Sequence, residues 1–169
     1  IDIVRIIGDD SGRARMNGKQ VVQKAPSCGV LITGEYLIGT GSDAARLLPI
    51  TFTTPIDTMR LQECQNETLV VSTFFHYYIS WYVARYTDIQ ALLKKWLIES
   101  RQISLGVHDR LAETHYCMDS AYKLFLLYCI EKGFTSQENA QKEHRSFYAL
   151  LTTLVREQQK RVEQGQGNE

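Results

Sequence analysis

The sequence predicts an α+β fold that is mainly α, with a small β segment carrying a hairpin and a helical bundle after it. All three prolines (Pro26, Pro49 and Pro55) occur early, among short runs broken by glycine and asparagine. After Pro55, apolar residues recur three and four positions apart with few helix breakers, which is the helical period. This change of pattern predicts two domains, residues 1–56 and residues 57–169.

The β segment is predicted from a turn signal and two apolar runs. Residues 13–16 and 19–22 flank Asn17-Gly18, a pair preferred in type I′ turns because both central residues need a positive φ, so we expect a β-hairpin. Residues 30–33 form a short apolar run that suits a buried strand. Residues 47–52 (LLPITF) predict another strand, which Pro49 places at a sheet edge or gives an irregular start.

Five helices are predicted in the second domain, at residues 56–65, 66–84, 88–104, 109–132 and from Thr135 or Ser136 onward. Thr87 is expected to cap the third helix and Gly106 to end it, while Gly133 ends the fourth. The polar tail, residues 158–169, is expected to fray. The predicted inner faces are Leu111, His115, Met118, Tyr122, Phe125 and Cys129 on the fourth helix, and Phe147, Leu150, Leu151, Leu154 and Val155 on the last.

Residues 68–84 carry no formal charge and are almost long enough to cross a bilayer. Their histidine, serines, threonines and tyrosines would be costly in lipid. We therefore expect a buried core helix and no membrane partner. A platform for stacking nucleic-acid bases would need exposed rings, which helical spacing does not indicate. The aromatic residues read as core are Phe74, Phe75, Tyr78, Trp81 and Tyr82.

Composition limits the partners and the chemistry. Nineteen basic and nineteen acidic residues balance, so any nucleic-acid contact must use a local basic surface. The cysteines form no CxxC pair, which indicates reduced thiols and predicts a cytoplasmic protein. No zinc spacing is present, so we expect no metal site. The residues that could form a zinc site are His108, His115, Cys117 and His144. Of these, His115 and His144 fall on the apolar faces of their predicted helices, which is typical of core residues.

The segment from residue 12 to residue 52 carries the residues best suited to chemistry. Thr33 ends the apolar run 30–33 and Glu35 follows it, at the kind of strand end where α/β folds bind ligands. Arg46 follows a Gly/Ser loop and precedes an apolar segment. An arginine anchored in this way can reach a phosphate across an interface.

The order GRARM, GVLITGE and SDAARLLPITF resembles the second half of the AAA+ ATPase core in primase-helicase and superfamily 3-like helicase proteins of phages and mobile elements. The segment LQECQNETLVVSTFFHYYISWYVARY resembles the C-terminal helical domain of that family. The resemblance implies that residues 1–56 are the C-terminal part of an ATPase core. The whole protein would then be a replicative DNA helicase that works as a homo-oligomer, as a hexamer in this family.

The resemblance also implies roles for single residues. Thr33, with Glu35, would read the γ-phosphate, and Arg46 would be the arginine finger that acts on a neighbour's ATP. The hairpin would contact DNA phosphates without reading sequence, through Arg13, Arg15, Lys19 and Lys24. Because no GxxxxGK[ST] loop is present, ATP and Mg²⁺ are implied only for the full-length protein, and we expect this chain to be inactive alone. The alternative is a non-enzymatic, all-helical DNA- or protein-interaction module.

Overall fold

The structure is a computed structural model, and it describes residues 13–17, 20–24, 31–33 and 44–166. Two short strands, β1 and β2, pair antiparallel with Arg13 opposite Lys24. A single 3-10 turn spans Ala44–Arg46, and five α-helices follow it. The strands are β1 (Arg13–Asn17) and β2 (Gln20–Lys24); the helices are α1 (Thr58–Asn66), α2 (Thr68–Ala84), α3 (Tyr86–Ser100), α4 (Asp109–Glu131) and α5 (Gln137–Gln166).

The predicted α+β fold is wrong, because the packed part of the described chain is all-helical. Residues 31–33 are irregular and exposed, with Leu31 at 92%, where a buried strand was expected. Residues 47–52 are irregular as well. A short apolar run becomes a strand only where a neighbouring strand takes up its backbone hydrogen bonds. Within the described ranges β1 and β2 pair only with each other.

The helix ends follow local capping chemistry. The Asp57 carboxylate accepts hydrogen bonds from the backbone N–H groups of Met59 and Arg60 at the start of α1. Gly133 takes φ of +74°, and the N–H of the next residue donates to the Cys129 carbonyl, which ends α4 as predicted. Ser136 Oγ accepts from a backbone N–H in the first turn of α5, so Ser136 is confirmed as the cap.

The predicted limits of the third helix are wrong. Helix α3 begins at Tyr86, with Arg85 before it and no side-chain cap, so Thr87 lies inside the helix. It ends at Ser100, well before Gly106. Thr87 and Gly106 are residue types that commonly end helices. Helix α3, however, begins at Tyr86, directly after α2, and this leaves no position for Thr87 as a cap.

The chain divides into two compact units. The first comprises Ile1–Pro49, Gly106–Ala112 and Thr153–Glu169. Within it, Gln158 Nε2 donates to the Ala44 carbonyl at 2.6 Å. The expected fraying from residue 158 is wrong, because α5 continues to Gln166 and Gln158 is buried. Ala44, Ala45, Leu111, Val155 and Val162 are also buried among the described residues of this unit.

The second unit comprises Ile50–Leu105 and Glu113–Thr152. Its core is formed by α2, α3 and α4, through Trp81, Ile89, Leu124, Tyr128 and Cys129. Most of the predicted inner-face residues on α4 and α5 are buried or half-buried. Two are not: Met118 is 43% exposed and Leu150 is 59% exposed.

Candidate interaction surface

Helix α2 packs along one narrow face only. Its half-buried or buried residues are Phe74, Tyr78, Trp81 and Tyr82, at helical spacing. Three of these rings surround Tyr128 of α4, with centroids 5.6, 5.2 and 5.3 Å away for Phe74, Tyr78 and Trp81. These are favourable edge-to-face or tilted contacts. The expectation of an aromatic core is therefore confirmed for these four residues, but it is wrong for Phe75, which is 51% exposed.

A polar anchor holds the C-terminal end of α2. Trp81 Nε1 donates to a Glu131 carboxylate oxygen at 2.9 Å, and Arg85 Nη1 donates to both oxygens at 2.7 and 2.6 Å. The Arg85 guanidinium also lies 5.5 Å from the Trp81 ring centroid, within cation–π range. Partial burial opposes ionisation of Glu131, but the hydrogen bonds from Trp81 and Arg85 hold its pKa below the usual range. Helix α2 is thus fixed firmly along its inner face.

The opposite face of α2 has the spacing of a second packing surface and no partner among the described residues. Leu69, Ser72, His76, Ile79 and Val83 recur three and four positions apart, and all five are exposed. We call this row the outer seam. Such spacing places side chains in one line on a helix and is typical of helix-to-helix packing. The expectation that α2 is a buried core helix is therefore wrong for the helix as a whole.

Seven large apolar residues of α2 are each at least 48% exposed. Exposed apolar residues gathered on one element mark interaction sites in folded proteins when they form a continuous surface. No charged residue interrupts the helix. The exposed fractions are 78% for Leu69, 61% for Val70, 48% for Val71, 51% for Phe75, 60% for Tyr77, 57% for Ile79 and 65% for Val83.

Helix α1 has the same character over a shorter length. None of its residues is buried, and Met59 and Leu61 are 76% and 44% exposed. Ile56, just before the helix, is 58% exposed. The Asp57 cap makes α1 a defined helix although it buries little. The two consecutive helices α1 and α2 therefore both expose apolar side chains that a folded core would normally cover.

A polar seam joins α4 and α5 inside the second unit. Asp119, only 2% exposed, accepts from Lys123 Nζ at 2.7 Å and lies 2.7 Å from His144 Nε2. One helical turn away, His115 Nε2 lies 3.0 Å from the Thr152 hydroxyl. The missed signal was the i, i+4, i+8 spacing of His115, Asp119 and Lys123, which places the three on one face of α4.

The hydrogen bonds of Thr152 define the tautomer of His115. The single hydroxyl proton of Thr152 is donated to the Tyr148 carbonyl at 2.8 Å, so at His115 the hydroxyl accepts from Nε2–H. The Nδ1 atom of His115 is then the unprotonated nitrogen, and it is buried without a partner among the described residues. Burial lowers the pKa of His115, and Lys123 adds to this while Asp119 opposes it. His115 therefore acts as a neutral structural residue.

An open groove of about 240 Å³ lies next to this polar seam. Its wall is mainly apolar, and its two basic groups, Lys123 and His144, are both engaged by Asp119. The groove therefore offers apolar contact and little free charge. It is lined by Trp96, Lys123, Leu126, Leu127, Ile130, Gln137, Ala140, Gln141 and His144.

Of the residues predicted to act in catalysis, the structure describes Thr33 and Arg46. Thr33 is exposed in an irregular segment, and Glu35 lies outside the described residues. Arg46 ends the 3-10 turn and is half-buried, with a partner of its own. Of the predicted DNA contacts, Arg13, Arg15 and Lys24 lie on β1 and β2, and Lys19 lies outside the described residues.

The described residues show neither a cluster of metal-binding side chains nor a membrane-spanning helix. Across the described ranges, no group of three or more His, Cys, Asp or Glu side chains is placed to hold a metal ion. In the same ranges, no helix combines the length and apolar character needed to cross a bilayer.

Comparisons with protein-family models, with curated proteins and with solved structures found no match to this chain. The resemblance to AAA+ helicases therefore rests on the quoted sequence motifs alone. The expectations of ATP, Mg²⁺, DNA and a hexamer, together with the roles of Thr33, Glu35 and Arg46, stay predictions.

Proposed function

We propose that this chain is a non-enzymatic, helical protein-interaction module that docks a partner on the exposed apolar surface of α2. One observation carries the proposal: an uncharged 17-residue helix is anchored along one face and exposes apolar side chains along the other. A continuous exposed apolar surface on one element marks interaction sites in folded proteins.

A complex with a partner that covers the exposed apolar side chains of α2 would be stabilised by the removal of those side chains from water. Association costs about 4–15 kcal/mol in lost translational and rotational freedom, so the partner must offer a complementary apolar surface of its own.

The surface is poorly suited to nucleic acid. Binding to DNA or RNA is dominated by lysine and arginine contacts to phosphates, and Thr68–Ala84 contains neither. A protein helix or groove with apolar side chains is the complementary partner, in the manner of a helix laid into a groove.

Site-specific photo-cross-linking tests the proposal. A benzophenone amino acid at Ile79 lies on the outer seam, and the same residue at Ile98, an exposed isoleucine on α3, is the matched control. We expect ultraviolet irradiation in the native cells to give a defined adduct from position 79 and none from position 98, with the partner identified by mass spectrometry. Equal yields at both positions, or no adduct at either, would contradict a docking role for α2.

A further inference from the structure

We propose that His115 makes the packing of α5 against α4 sensitive to acid. When its imidazole gains a second proton, at Nδ1, α5 is released around Thr152, while the pairing of Asp119 with His144 keeps the beginning of the helix attached. The inference is independent of the docking role of α2, because the residues that it uses lie on α4 and α5 within the second unit.

The surroundings of His115 accommodate one protonation state only. The side chain is 1% exposed, and its Nε2–H donates to the Thr152 hydroxyl at 3.0 Å. That hydroxyl donates its own proton to the Tyr148 carbonyl. Nδ1 is buried, and no described residue offers it a hydrogen-bond partner. A proton on Nδ1 would therefore create a buried donor without an acceptor, whose lost hydrogen bonds to water are not replaced.

Two aromatic rings enclose the imidazole. Tyr148 of α5 lies nearly perpendicular to it with the ring centroids 4.8 Å apart, and Tyr116 of α4 lies nearly perpendicular at 6.0 Å. The Tyr116 hydroxyl donates to the Ile103 carbonyl. A charged imidazole needs hydration or a counter-charge. Water can reach it only after the packing opens, and α5 supplies the contacts of Tyr148 and Thr152 to that packing.

The charged groups of the polar seam do not compensate for a proton on His115. Asp119 attracts such a proton, but its two oxygens already lie 2.7 Å from Lys123 Nζ and 2.7 Å from His144 Nε2. The Lys123 ammonium repels the proton, and the two neighbouring tyrosines are uncharged at mildly acidic pH. Burial has the largest effect. Together with Lys123, and against the attraction of Asp119, it holds the pKa of His115 below the ordinary histidine value.

Acid therefore favours an open state over the closed packing. In an open state the imidazole is hydrated and has the ordinary pKa of about 6.5. The closed packing is fully favoured above about pH 6.5 and becomes less favoured as the pH falls below that value. Because one proton is involved, the opening constant rises at most about tenfold per pH unit, or about thirtyfold between pH 6.5 and 5.

The other end of the polar seam responds differently. His144 Nε2 lies 2.7 Å from Asp119, and the His144 side chain is 27% exposed. A proton on His144 therefore has a carboxylate beside it and access to water. A charged donor also strengthens a hydrogen bond to a carboxylate. Acid thus weakens the contact of α5 at Thr152 and preserves the one at His144, which makes the release local.

Hydrogen exchange of the full chain, resolved by segment and repeated at several low urea concentrations, tests the local release. A stretch of helix that loses its packing is only marginally helical in water, so its amide protons exchange. Residues 145–152 should be less protected than residues 124–131 of the aromatic core. Their exchange should also depend little on urea, because a local opening exposes little new surface.

After correction for the intrinsic pH dependence of exchange, the protection of residues 145–152 should fall by about threefold to thirtyfold between pH 7.5 and 5. If these residues show the same protection and the same urea dependence as residues 124–131, α5 is released only on complete unfolding. That result, or protection that does not change with pH, would overturn the proposal.

Replacement of the histidine identifies the group responsible. In His115→Gln the side-chain amide can still donate to Thr152 but cannot take up a proton, so the protection of residues 145–152 should no longer fall with acid. His76→Gln, at an exposed histidine of α2, is the matched control and should keep the full acid response. An unchanged acid response in His115→Gln would assign the effect to another group and refute the role of His115.

The parent chain provides a second test that needs no variant. An NMR titration of the histidine imidazoles should give His115 a midpoint below the ordinary value of about 6.5. A midpoint at or above that value would mean that acid does not favour the open state. It would contradict the proposal even if His115→Gln failed to fold.

Discussion

At the scale of single residues, the buried carboxylate of Asp119 joins α4 to α5. It accepts from Lys123 on its own helix and binds His144 on the neighbouring one. Removing one partner of a buried ion pair leaves the other charge uncompensated, which costs about 3–5 kcal/mol when both are fully buried. Here Lys123 and His144 are 31% and 27% exposed, so water reduces that cost.

Asp119→Asn is therefore expected to lower the free energy of unfolding by about 2 kcal/mol, less than for a fully buried pair. Urea denaturation at neutral pH measures the change. Lys95→Met, which breaks the exposed pair with Glu99, is the control and should change stability by less than about 1 kcal/mol. If the two substitutions lower the free energy of unfolding equally, Asp119 contributes no more to stability than an exposed ion pair does.

His115 gives a pH dependence with a defined sign. Burial lowers the pKa of His115 below the ordinary histidine value of about 6.5, so the unfolded chain takes up a proton more readily than the folded chain. Stability is therefore full above about pH 6.5 and falls as the pH drops below that value. Unfolding free energies measured between pH 7.5 and 5 should show this loss. Each unit of difference between the unfolded and folded pKa values of His115 corresponds to about 1.4 kcal/mol.

The control for this prediction is His115→Gln, in which the amide nitrogen can still donate to Thr152. This variant should be less stable at neutral pH but should lose less stability on acidification than the parent chain. If both chains lose the same amount, the pH dependence arises from other groups, and His115 titrates freely in the folded state.

At the scale of elements, Gly133 shows how one residue ends a helix. Its φ of +74° is unfavourable for residues with a Cβ, and an added Cβ would meet no atom within 4 Å. Gly133→Ala should therefore destabilise the chain through backbone conformation alone, by about 1–2 kcal/mol. Gly133→Asn should cost less, since asparagine tolerates this conformation. Thermal unfolding of the two variants compares them, and equal costs would contradict the explanation.

The helices were predicted from sequence far better than the strands. Helix α4 was predicted to within one residue at its C-terminal end, because Gly133 acts through local geometry. The strand at residues 30–33 was wrong, because a strand depends on a distant partner that a short apolar run does not reveal. The predicted cap of α3 was wrong for a related reason. Threonine caps helices well, but whether Thr87 can do so depends on where α2 ends.

The candidate surface escaped prediction for a physical reason. An apolar helix in a sequence is expected to be buried, and Thr68–Ala84 was read in that way. Periodicity identifies which residues share a face, but both faces of α2 are apolar, so the pattern does not tell which one packs internally. The packing of Phe74, Tyr78 and Trp81 around Tyr128, together with the contacts of Glu131, distinguishes the inner face from the outer seam.

At the scale of the whole molecule, the helicase hypothesis retains one test that needs only this chain. If the segment around β1 and β2 contacts DNA phosphates, Arg15→Ala or Lys19→Ala should weaken DNA binding for all sequences and reduce the salt slope by about 1 each. Fluorescence anisotropy at several salt concentrations measures this, with Lys142→Ala as a control. If the parent chain does not bind DNA, the predicted hairpin no longer supports the helicase hypothesis.

We expect a partner to cover the outer face of α2 in the working assembly. Alkylation of single cysteines measures this without knowledge of the partner, using Ile79→Cys and Ile98→Cys in the background that lacks Cys28, Cys64 and Cys117. Both positions are about half exposed in the isolated chain, at 57% and 50%. In native extract, the account predicts that position 79 reacts several times more slowly than position 98, and that dilute purified chain loses this difference. Equal rates at the two positions in extract would contradict it.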